Sequence, residues 1–430
     1  MRHFYTLLLY LAAPFALLRL LWKSRQLAGY RGRIGERFGF VPRTSGDAIA
    51  VWVHAVSVGE ALAAQPLIEA LLARYGERSI WVTTTTPTGS ARVIAAFGDR
   101  VHHSYAPYDL PDVVSRFLDR VRPARFVVME TELWPNLFRA CCVRGIPLTI
   151  ANARLSPRSF RGYGRVRGFA RDTLSDVTMI AAQSKSDAAR FRTLGGVRER
   201  VRVIGNLKFD LNLPEASLDD GSLLRARFGA RPVWIAASTH DGEEAAALDA
   251  HAALVELQPD ALLVLVPRHP QRFDAVWSLI EDTGLRSERR TRLAALDKSG
   301  HAPDLSAAQV FLGDSMGEMF LYLAMADVAF VGGSLVDVGG HNVLEPAALG
   351  LPVLFGPQMH NFEAARALLL EKIAAVEVAD AAQLAEELAV LLASPDRCRA
   401  MGAAGAAAVA GNRGALKRLL TIIEAQTPCE

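Results

Sequence analysis

The chain has 430 residues, which is long enough for two domains of ordinary size, each with its own hydrophobic core. Apolar residues make up 51% of the composition and charged residues 22%, which is typical of a globular protein and excludes a disordered one. The formal net charge of +3 is too small to indicate a nucleic-acid-binding protein. Four cysteines show neither metal-ligand spacing nor a disulfide framework, which indicates a reducing compartment: Cys141, Cys142, Cys398 and Cys429.

The first predicted element is an apolar helix over residues 4–22, FYTLLLYLAAPFALLRLLW, in which Arg19 is the only charged residue. Its length approaches what the hydrocarbon core of a membrane requires, and Pro14 is tolerated in such helices. A cleaved signal peptide and a buried helix of a soluble protein are the alternatives, but no small-residue cleavage site follows. The sequence therefore predicts a membrane anchor over residues 1–23, formed by a transmembrane helix.

Basic residues follow this predicted anchor. Between residues 23 and 43 there is one acid, Glu36, and there are six basic residues: Lys23, Arg25, Arg31, Arg33, Arg37 and Arg43. Because positively charged flanks stay on the cytoplasmic side of a membrane, the bulk of the protein is expected to lie in the cytoplasm.

Beyond residue 48, short β-branched runs alternate with amphipathic helical stretches. Eleven runs are strand candidates, in two sets: 49–53, 79–85, 125–130, 147–153, 177–183 and 201–206, then 233–239, 261–267, 309–313, 328–333 and 351–356. Strands separated by helices predict parallel, doubly wound α/β sheets. We therefore expect two Rossmann-like domains that face a cleft, an N-terminal one over 24–210 and a C-terminal one over 233–430, joined by a linker over 211–232.

Ligands bind beyond the carboxyl ends of the strands in such sheets, so the residues that follow each strand are the site candidates. HAVSVGE follows the first strand, and its Ser57 and Glu60 have the spacing of a helix capping box. Alone, the motif is evenly balanced between a cap and a catalytic acid. Gly59 in the first turn and Pro66 in the third disfavour a regular helix and favour a catalytic Glu60, with Gly59 letting backbone approach a ligand.

Two more stretches of the first domain carry candidate residues. ETELWPN places Glu130 at the end of an apolar strand and Glu132 shortly after it, where a carboxylate is either a solvated rim group or a site residue. We favour a site role for Glu130 over Glu132. GNLKFD places Lys208 near the expected cleft, although a single lysine after a strand is more often a surface residue.

A basic run covers residues 152–171, NARLSPRSFRGYGRVRGFAR, which contain six arginines, three aromatic residues and no acid. A solvated helix face is one interpretation, and nucleic acid would also fit. One such run in a nearly neutral chain with a membrane segment favours anionic lipid. Together with the basic stretch at 23–43, it predicts an acidic, membrane-embedded substrate and no nucleic-acid partner.

The second domain carries three signals of a nucleotide site at predicted strand ends. VPRHP places Arg268 and His269 where a guanidinium can bind a phosphate. GDSMGEM is a glycine-containing turn before a helix, whose backbone N–H groups can bind an anion. GGSLVDVGGHNVLEPAALGLP offers backbone donors for phosphate and Glu345 for ribose hydroxyls. Each signal alone is weak, but three in one domain predict a nucleotide site.

These motifs resemble those of the 3-deoxy-D-manno-octulosonic acid (Kdo) transferases of Gram-negative bacteria. The resemblance rests on HAVSVGE, ETELWPN, NARLS, GNLKFD, VPRHP, GDSMGEM and GGHNVLEPAALGLPVLFGP, and runs from the anchor to about residue 365. It implies a GT-B fold and inverting transfer of Kdo from CMP-Kdo to the lipid A precursor (lipid IVA) in lipopolysaccharide biosynthesis. It also implies a location on the cytoplasmic side of the inner membrane.

The resemblance further implies residue roles. Glu60 would be the general base, and Glu130 and Lys208 would stabilise the transition state. Ser57 and Gly59 would shape the loop that admits the sugar. CMP would be held by residues of the second domain: Arg268, His269, Ser315, Met316, Gly317, Gly340, His341, Asn342 and Glu345.

We expect neither a metal ion nor another cofactor, because no DxD motif stands at a strand end and Asp219 and Asp220 fall in the predicted linker. Two other interpretations stay open. One is a membrane-associated GT-B glycosyltransferase that uses a UDP-sugar, although such an enzyme would lack the pair of HAVSVGE and ETELWPN. The other is a membrane-anchored binding protein without catalysis, which the presence of Glu60 disfavours.

Overall fold

The computed structural model describes residues 1–25, 32–44, 49–293 and 305–426. Arg31 and Cys429, named above, lie outside these described residues. The chain forms two compact units, Met1–Asp210 with Asn412–Glu430, and Leu211–Gly411. Each unit contains a parallel sheet of seven strands, with a hydrophobic core on either face of it.

The first unit opens with two helices, α1 (Arg2–Lys23) and α2 (Ile34–Arg37). Strands and helices then alternate: β1 (Val51–His54), α3 (Val58–Tyr75), β2 (Ile80–Thr84), α4 (Pro87–Phe97), β3 (His102–Tyr105), α5 (Pro111–Val121), β4 (Phe126–Met129), α6 (Pro135–Val143), β5 (Leu148–Ala153), α7 (Pro157–Gly164), α8 (Arg167–Ser175), β6 (Met179–Ala182), α9 (Lys185–Leu194) and β7 (Val201–Val203). The strand order is β3-β2-β1-β4-β5-β6-β7.

The order of this sheet reverses between β1 and β4. The chain runs from β1 outward to β2 and β3, and then returns to β4 on the other side of β1, where Trp52 stands opposite Phe126. Connections that leave two neighbouring strands toward opposite faces open a crevice at the carboxyl ends of those strands. Glu60 and Glu130 follow these two strands, so the topology places both candidates at this crevice.

The central strands are buried on both faces, which explains why they are continuous apolar runs rather than alternating ones. Trp52 points into one core and stacks on Phe126, with ring centroids 3.9 Å apart. Its neighbours Val51 and Val53 point into the other core, against the apolar face of α3. All four residues of β1 are buried, so the strand is a rigid base for the loop that follows it.

The second unit repeats the pattern: α10 (Glu215–Ala226), β8 (Val233–Thr239), α11 (Glu243–Leu257), β9 (Leu262–Pro267), α12 (Phe273–Asp282), β10 (Ser287–Arg289), β11 (Val310–Leu312), α13 (Met319–Ala324), β12 (Val328–Val331), α14 (Leu344–Ala348), β13 (Val353–Phe355), α15 (Glu363–Glu371), β14 (Ala375–Glu377), α16 (Ala381–Leu392) and α17 (Pro395–Asn412). The strand order is β10-β11-β9-β8-β12-β13-β14. This order reverses between β8 and β12, so the crevice lies beyond the ends of those two strands.

The compact units differ from the expected domains at both ends of the second domain. Residues of the expected linker form α10 and belong to the second unit, where Gly221 lies so close to α13 that an added Cβ would be 2.3 Å from the carbonyl oxygen of Leu321. The last helix, α18 (Ala415–Glu424), belongs to the first unit. Its Leu419 and Ile423 are buried in the same core as β1 and α3, because burial of an apolar face, not chain order, decides where a helix packs.

The predicted fold class, two doubly wound α/β units and an N-terminal apolar helix, is confirmed. Residues Arg2–Leu20 of α1 have a mean hydropathy of 1.4 and could cross a membrane by length and composition alone. Pro14 lies inside the helix, as expected.

Candidate active site

The loop after β1 builds the capping box whose residues the sequence contains. Ser57 is the N-cap of α3, and its Oγ accepts a hydrogen bond from the backbone N–H of Glu60 at 3.3 Å. Glu60 reaches back and accepts one from the backbone N–H of Val56 at 2.7 Å. The expectation that Gly59 and Pro66 weaken a regular helix here was wrong, because α3 runs through both residues.

The same geometry leaves Glu60 able to do chemistry. Its Oε2 accepts the Val56 N–H at 2.7 Å, whereas Oε1 accepts the Ser57 hydroxyl at the longer distance of 3.3 Å. A Cβ added to Gly59 would meet no atom closer than 3.8 Å, so the turn beside Glu60 faces open space. One carboxylate oxygen can therefore cap the helix while the other is presented to a ligand.

The electrostatic surroundings of Glu60 favour a role for its carboxylate as a proton acceptor. Burial raises the pKa of Glu60 to about 8, and the negative charges of Glu130 and Glu132 add to this, while the hydrogen bond from Val56 opposes it. Burial also raises the pKa of Glu132. Three carboxylates from the ends of β1 and β4 thus share one region, and a carboxylate whose pKa is close to the working pH suits general base catalysis.

Two residues at neighbouring strand ends have strained backbones. Glu130, directly after β4, has φ 58°, and Asn152, near the end of β5, has φ 52°. Residues other than glycine in this left-handed region cost about 1–3 kcal/mol each, and such residues cluster at functional sites. The hydrogen bonds between β4 and β5 continue to Glu130, whose N–H donates to the carbonyl oxygen of Ala151 at 2.9 Å and helps to hold this conformation.

Asn152 also brings Lys208 to the site. The buried amide of Asn152 accepts a hydrogen bond from the backbone N–H of Leu207 at 3.0 Å, which draws the turn after β7 back across the sheet. Burial lowers the pKa of Lys208, while the carboxylate of Glu130 acts in the opposite direction. The structure therefore brings together Glu60, Glu130 and Lys208, three candidates that lie far apart in the sequence.

His54, the first residue of HAVSVGE, contacts Trp134 of ETELWPN and was not considered as a site candidate. His54 is buried at the end of β1, with Nδ1 2.8 Å from the hydroxyl of Thr83. Burial lowers the pKa of His54 to about 4, so the ring is neutral. Its ring meets that of Trp134 edge to face at 5.7 Å. The position of His54 directly before the loop was the available signal.

In the second unit, a buried carboxylate ties together the loops at the crevice. Glu243 is fully buried at the start of α11. It accepts hydrogen bonds from four backbone N–H groups: those of His240 (3.0 Å), Gly333 (2.6 Å), Ser334 (2.9 Å) and Leu335 (2.9 Å). Three successive N–H groups after β12, those of Gly333, Ser334 and Leu335, are therefore committed to Glu243.

Three histidines of the second unit lie in contact: His240, His269 and His341. The Nε2 atoms of His240 and His341 are 2.8 Å apart, and the two rings lie parallel with centroids 5.0 Å apart. His269 meets His240 edge to face at 5.1 Å. Burial lowers the pKa of His341 to about 4, helped by His240 and by the positive charge of Arg268. His240, which follows β8 directly, was missed although the rule on strand ends points to it.

Arg268 and His269 are exposed beyond the end of β9. The guanidinium of Arg268 acts on the pKa of both His341 and Glu345, so it faces the loop between β12 and α14. In that loop Asn342 donates to the Glu345 carboxylate at 2.9 Å. Burial raises the pKa of Glu345. The structure thus brings these predicted residues together around one exposed cation.

Gly340 is required by the packing of the same loop. It has φ 76°, and an added Cβ would lie 2.2 Å from Sδ of Met359. Its N–H donates to the carbonyl oxygen of Gly333 at 2.6 Å, which folds the loop back on the end of β12. Gly340 therefore sets the direction in which His341 and Asn342 leave the turn.

GDSMGEM forms the predicted turn, which follows β11. In the sheet, β9 lies between β11 and β8, so this turn is not next to the strands where the order reverses. The hydroxyl of Ser315 contacts the carboxylate of Glu318 and the hydroxyl of Tyr322. Glu318 pairs with Arg290 at 2.7 Å. Met316 is 58% exposed and Gly317 has φ 85°, so the tip of the turn projects outward. Within the described ranges, no group of three or more His, Cys, Asp or Glu side chains is arranged to hold a metal ion.

Residues 32–211 match the family model described as 3-deoxy-D-manno-octulosonic-acid transferase (kdotransferase). Over 428 residues the chain is 43% identical to the 3-deoxy-D-manno-octulosonic acid transferase of Haemophilus influenzae, and the match covers 98% of each chain. The chain belongs to the Kdo transferase family. It is also 38% identical to the transferase of the same name from Bordetella pertussis, over 98% of this chain and 99% of the relative.

The fold of this Kdo transferase family member is that of GT-B proteins. A crystal structure of UDP-GlcNAc 2-epimerase from Neisseria meningitidis, bound to UDP-GlcNAc, superimposes with a TM-score of 0.56 and 16% identity, covering 88% of this chain and all of the other. At this identity the likeness concerns the fold alone. The predicted GT-B fold, the family and the assignment as a glycosyltransferase enzyme are confirmed.

Proposed function

We propose that this enzyme transfers Kdo from CMP-Kdo to the lipid A precursor lipid IVA by an inverting single displacement, with Glu60 as the general base. The observation that carries the proposal is the half-buried carboxylate of Glu60 at the reversal point of the first sheet, with its pKa raised to about 8. A carboxyl with this pKa is mostly ionised only above about pH 8, and its carboxylate binds a transferred proton more firmly than an ordinary one does.

The chemistry needs one proton transfer and one displacement. Glu60 takes the proton of the attacking acceptor hydroxyl, whose oxygen forms a bond to the anomeric carbon of Kdo. The bond from this carbon to the phosphate oxygen breaks on the opposite face, and CMP leaves with the electron pair. Lys208 and Glu130, whose opposite charges act on each other, would stabilise the charge that develops.

The donor would be held by the second unit. Arg268 is an exposed guanidinium whose charge acts on the neutral imidazole of His341, an arrangement that suits a single phosphate. Asn342 and Glu345 would bind ribose hydroxyls, and His269 and His341 would line the phosphate. Ser315, Met316 and Gly317, at the end of β11, would contact the base or the sugar, with Met316 offering an exposed apolar surface.

The location proposed for the enzyme is the cytoplasmic side of the inner membrane. The support is the apolar helix α1 and the segment from the end of β5 through α8, in which six arginines are exposed: Arg154, Arg158, Arg161, Arg165, Arg167 and Arg171. Both features suit a surface of anionic lipid and an acidic lipid acceptor. Nucleic acid is not proposed as a partner.

The test is transfer by the purified full-length protein, with lipid IVA as acceptor and either CMP-Kdo or a UDP-sugar as donor. Mass spectrometry of the lipid reports which sugar has been added, and how many. Addition of Kdo from CMP-Kdo alone is expected. Transfer from a UDP-sugar alone would show a different GT-B glycosyltransferase, and transfer from neither donor would leave a binding protein.

A further inference from the structure

Helix α1 has two different faces along its whole length. Residues 2, 5, 6, 9, 13, 16, 17 and 20 are half-buried, and their spacing of three or four residues places them on one face. The opposite face is exposed and apolar, with side-chain exposures of 56–72%: Phe4, Leu7, Leu11, Phe15, Leu18 and Trp22. The helix therefore lies along the folded unit, whereas a membrane-crossing anchor would leave it.

The amino-terminal turns of α1 are fixed to this unit by polar contacts. Besides the bond from Tyr10 to the exposed Asp112 (2.6 Å), three side-chain hydrogen bonds join them to the rest of the unit: Arg2 to Asp176 (3.1 Å), Tyr5 to Asp109 (3.0 Å) and Thr6 to Asn136 (3.1 Å). All three acceptor residues are buried, with exposures of 7% or less. The ring of Tyr5 also packs on that of Phe169, with centroids 5.4 Å apart.

These contacts are incompatible with a spanning orientation. At a rise of 1.5 Å per residue, α1 is about 33 Å long, so a spanning helix would hold Arg2 on the opposite side of the membrane from the folded unit. Asp109, Asn136 and Asp176 would then each lose the partner that α1 supplies, although Asp109 keeps two backbone N–H groups and Asp176 keeps Arg139. The loss of a hydrogen bond by a buried polar group is costly. Length does not settle the matter, because helices that lie in a membrane interface are often 20–30 residues long.

We propose that α1 lies flat in the cytoplasmic leaflet, with its amino terminus on the same side as the catalytic units and its exposed apolar face inserted into an anionic bilayer surface. Charge complementarity supports this partner, since the contact between Tyr5 and Phe169 places α8 beside α1. Exposed arginines in α7, in α8 and between them therefore flank the helix: Arg158, Arg161, Arg165 and Arg167. The proposal rests on the proposed membrane location and replaces the expected transmembrane helix.

The first experiment locates the amino terminus. A protease recognition sequence is fused ahead of Met1 of the full chain through a flexible spacer, and in a control chain after Glu430. Protease is added to intact spheroplasts and to inverted inner-membrane vesicles. Cleavage of both sites only in inverted vesicles is expected. Cleavage ahead of Met1 in spheroplasts would overturn the flat orientation, and a chain found only in the soluble fraction would instead overturn the proposed membrane location.

The second experiment measures binding of the purified full-length protein to phosphatidylglycerol vesicles, with phosphatidylcholine vesicles for comparison. Leu11→Glu changes the exposed apolar face of α1, and Leu257→Glu makes the same change at the end of α11, where the leucine is 72% exposed. Leu11→Glu is expected to weaken binding roughly 10- to 100-fold, as for one leucine returned to water, and Leu257→Glu to leave it unchanged. Equal effects, or equal binding to both lipids, would contradict the proposal.

Discussion

Replacing Glu60 with glutamine separates the two roles that the structure offers this residue. Glutamine has nearly the same shape and keeps an oxygen that can accept the N–H of Val56, so the cap is preserved, but it cannot accept a proton in the reaction. A positioned general base contributes typically ~10²–10⁴-fold to the rate. Glu60→Gln is therefore expected to lower kcat/KM for Kdo transfer by about that factor.

The pH dependence follows from the burial of Glu60. Because its pKa in the folded protein is raised to about 8, wild-type kcat/KM should rise about tenfold per pH unit below pH 8 and level off above it. The residual activity of Glu60→Gln should lack this slope. A raised carboxyl pKa also means that the stability contributed by protonated Glu60 is lost as the pH rises through 8. Glu60→Gln should consequently be at least as stable as the wild type at pH 8–9.

The chain contains a matched control, because Ser184 and Asp187 form the same kind of cap on α9. The Oγ of Ser184 accepts the N–H of Asp187 at 3.1 Å, and the Asp187 carboxylate accepts the N–H of Leu155 at 2.9 Å. Asp187→Asn keeps an oxygen that can accept the N–H of Leu155, as Glu60→Gln does for Val56, but it loses the ion pair with Arg190 at 3.4 Å. It should therefore lower Tm slightly and leave kcat/KM unchanged. Initial rates with CMP-Kdo and lipid IVA, together with thermal unfolding, test both variants. Full activity of Glu60→Gln, or activity that falls only in proportion to Tm in both, would refute the reasoning.

Three further outcomes are expected. Arg268→Ala should weaken binding of CMP, measured by calorimetry, by roughly 10- to 150-fold, the range for one charged hydrogen bond; unchanged affinity would place the phosphate elsewhere. Asn152→Ala should lower stability by roughly 1–3 kcal/mol in denaturant titrations, because it leaves the N–H of Leu207 unpaired and keeps the left-handed backbone, and it should lower kcat by displacing Lys208. A chelator such as EDTA should leave the transfer rate unchanged, and loss of activity restored by a divalent cation would contradict this.

Edge strands mark the limit of what could be predicted about the fold. The buried central strands were recognisable because both faces are covered, so that β8 and β9 are almost entirely apolar. The three strands that were missed, β3, β10 and β14, all lie at sheet edges. Strand β10 consists of Ser287, Glu288 and Arg289, all half-exposed, and pairing with β11 alone makes it a strand. No apolar pattern exists in such a segment for sequence reasoning to detect.

The candidate sites show the same division between local and long-range information. The rule on strand ends selected Glu130 and Lys208 singly, but only the fold shows that Asn152 draws the turn of Lys208 toward the end of β5. In the second unit the same rule applied to β8 would have found His240. The role of Glu243 could not have been inferred, since its four N–H partners come from two loops about ninety residues apart.

Glu60 was selected partly for a reason that does not hold. Gly59 costs ~1 kcal/mol in a helix and Pro66 removes one backbone hydrogen bond, yet α3 forms because its apolar face is buried against the sheet. Intrinsic propensity is a weak prior once such a face is covered. What distinguishes Glu60 from Asp187 is also not the cap, because both residues have one. Asp187 lies 3.4 Å from the guanidinium of Arg190, whereas Glu60 has like charges around it. Burial and the neighbouring carboxylates together raise the pKa of Glu60, and these surroundings make Glu60 the candidate base.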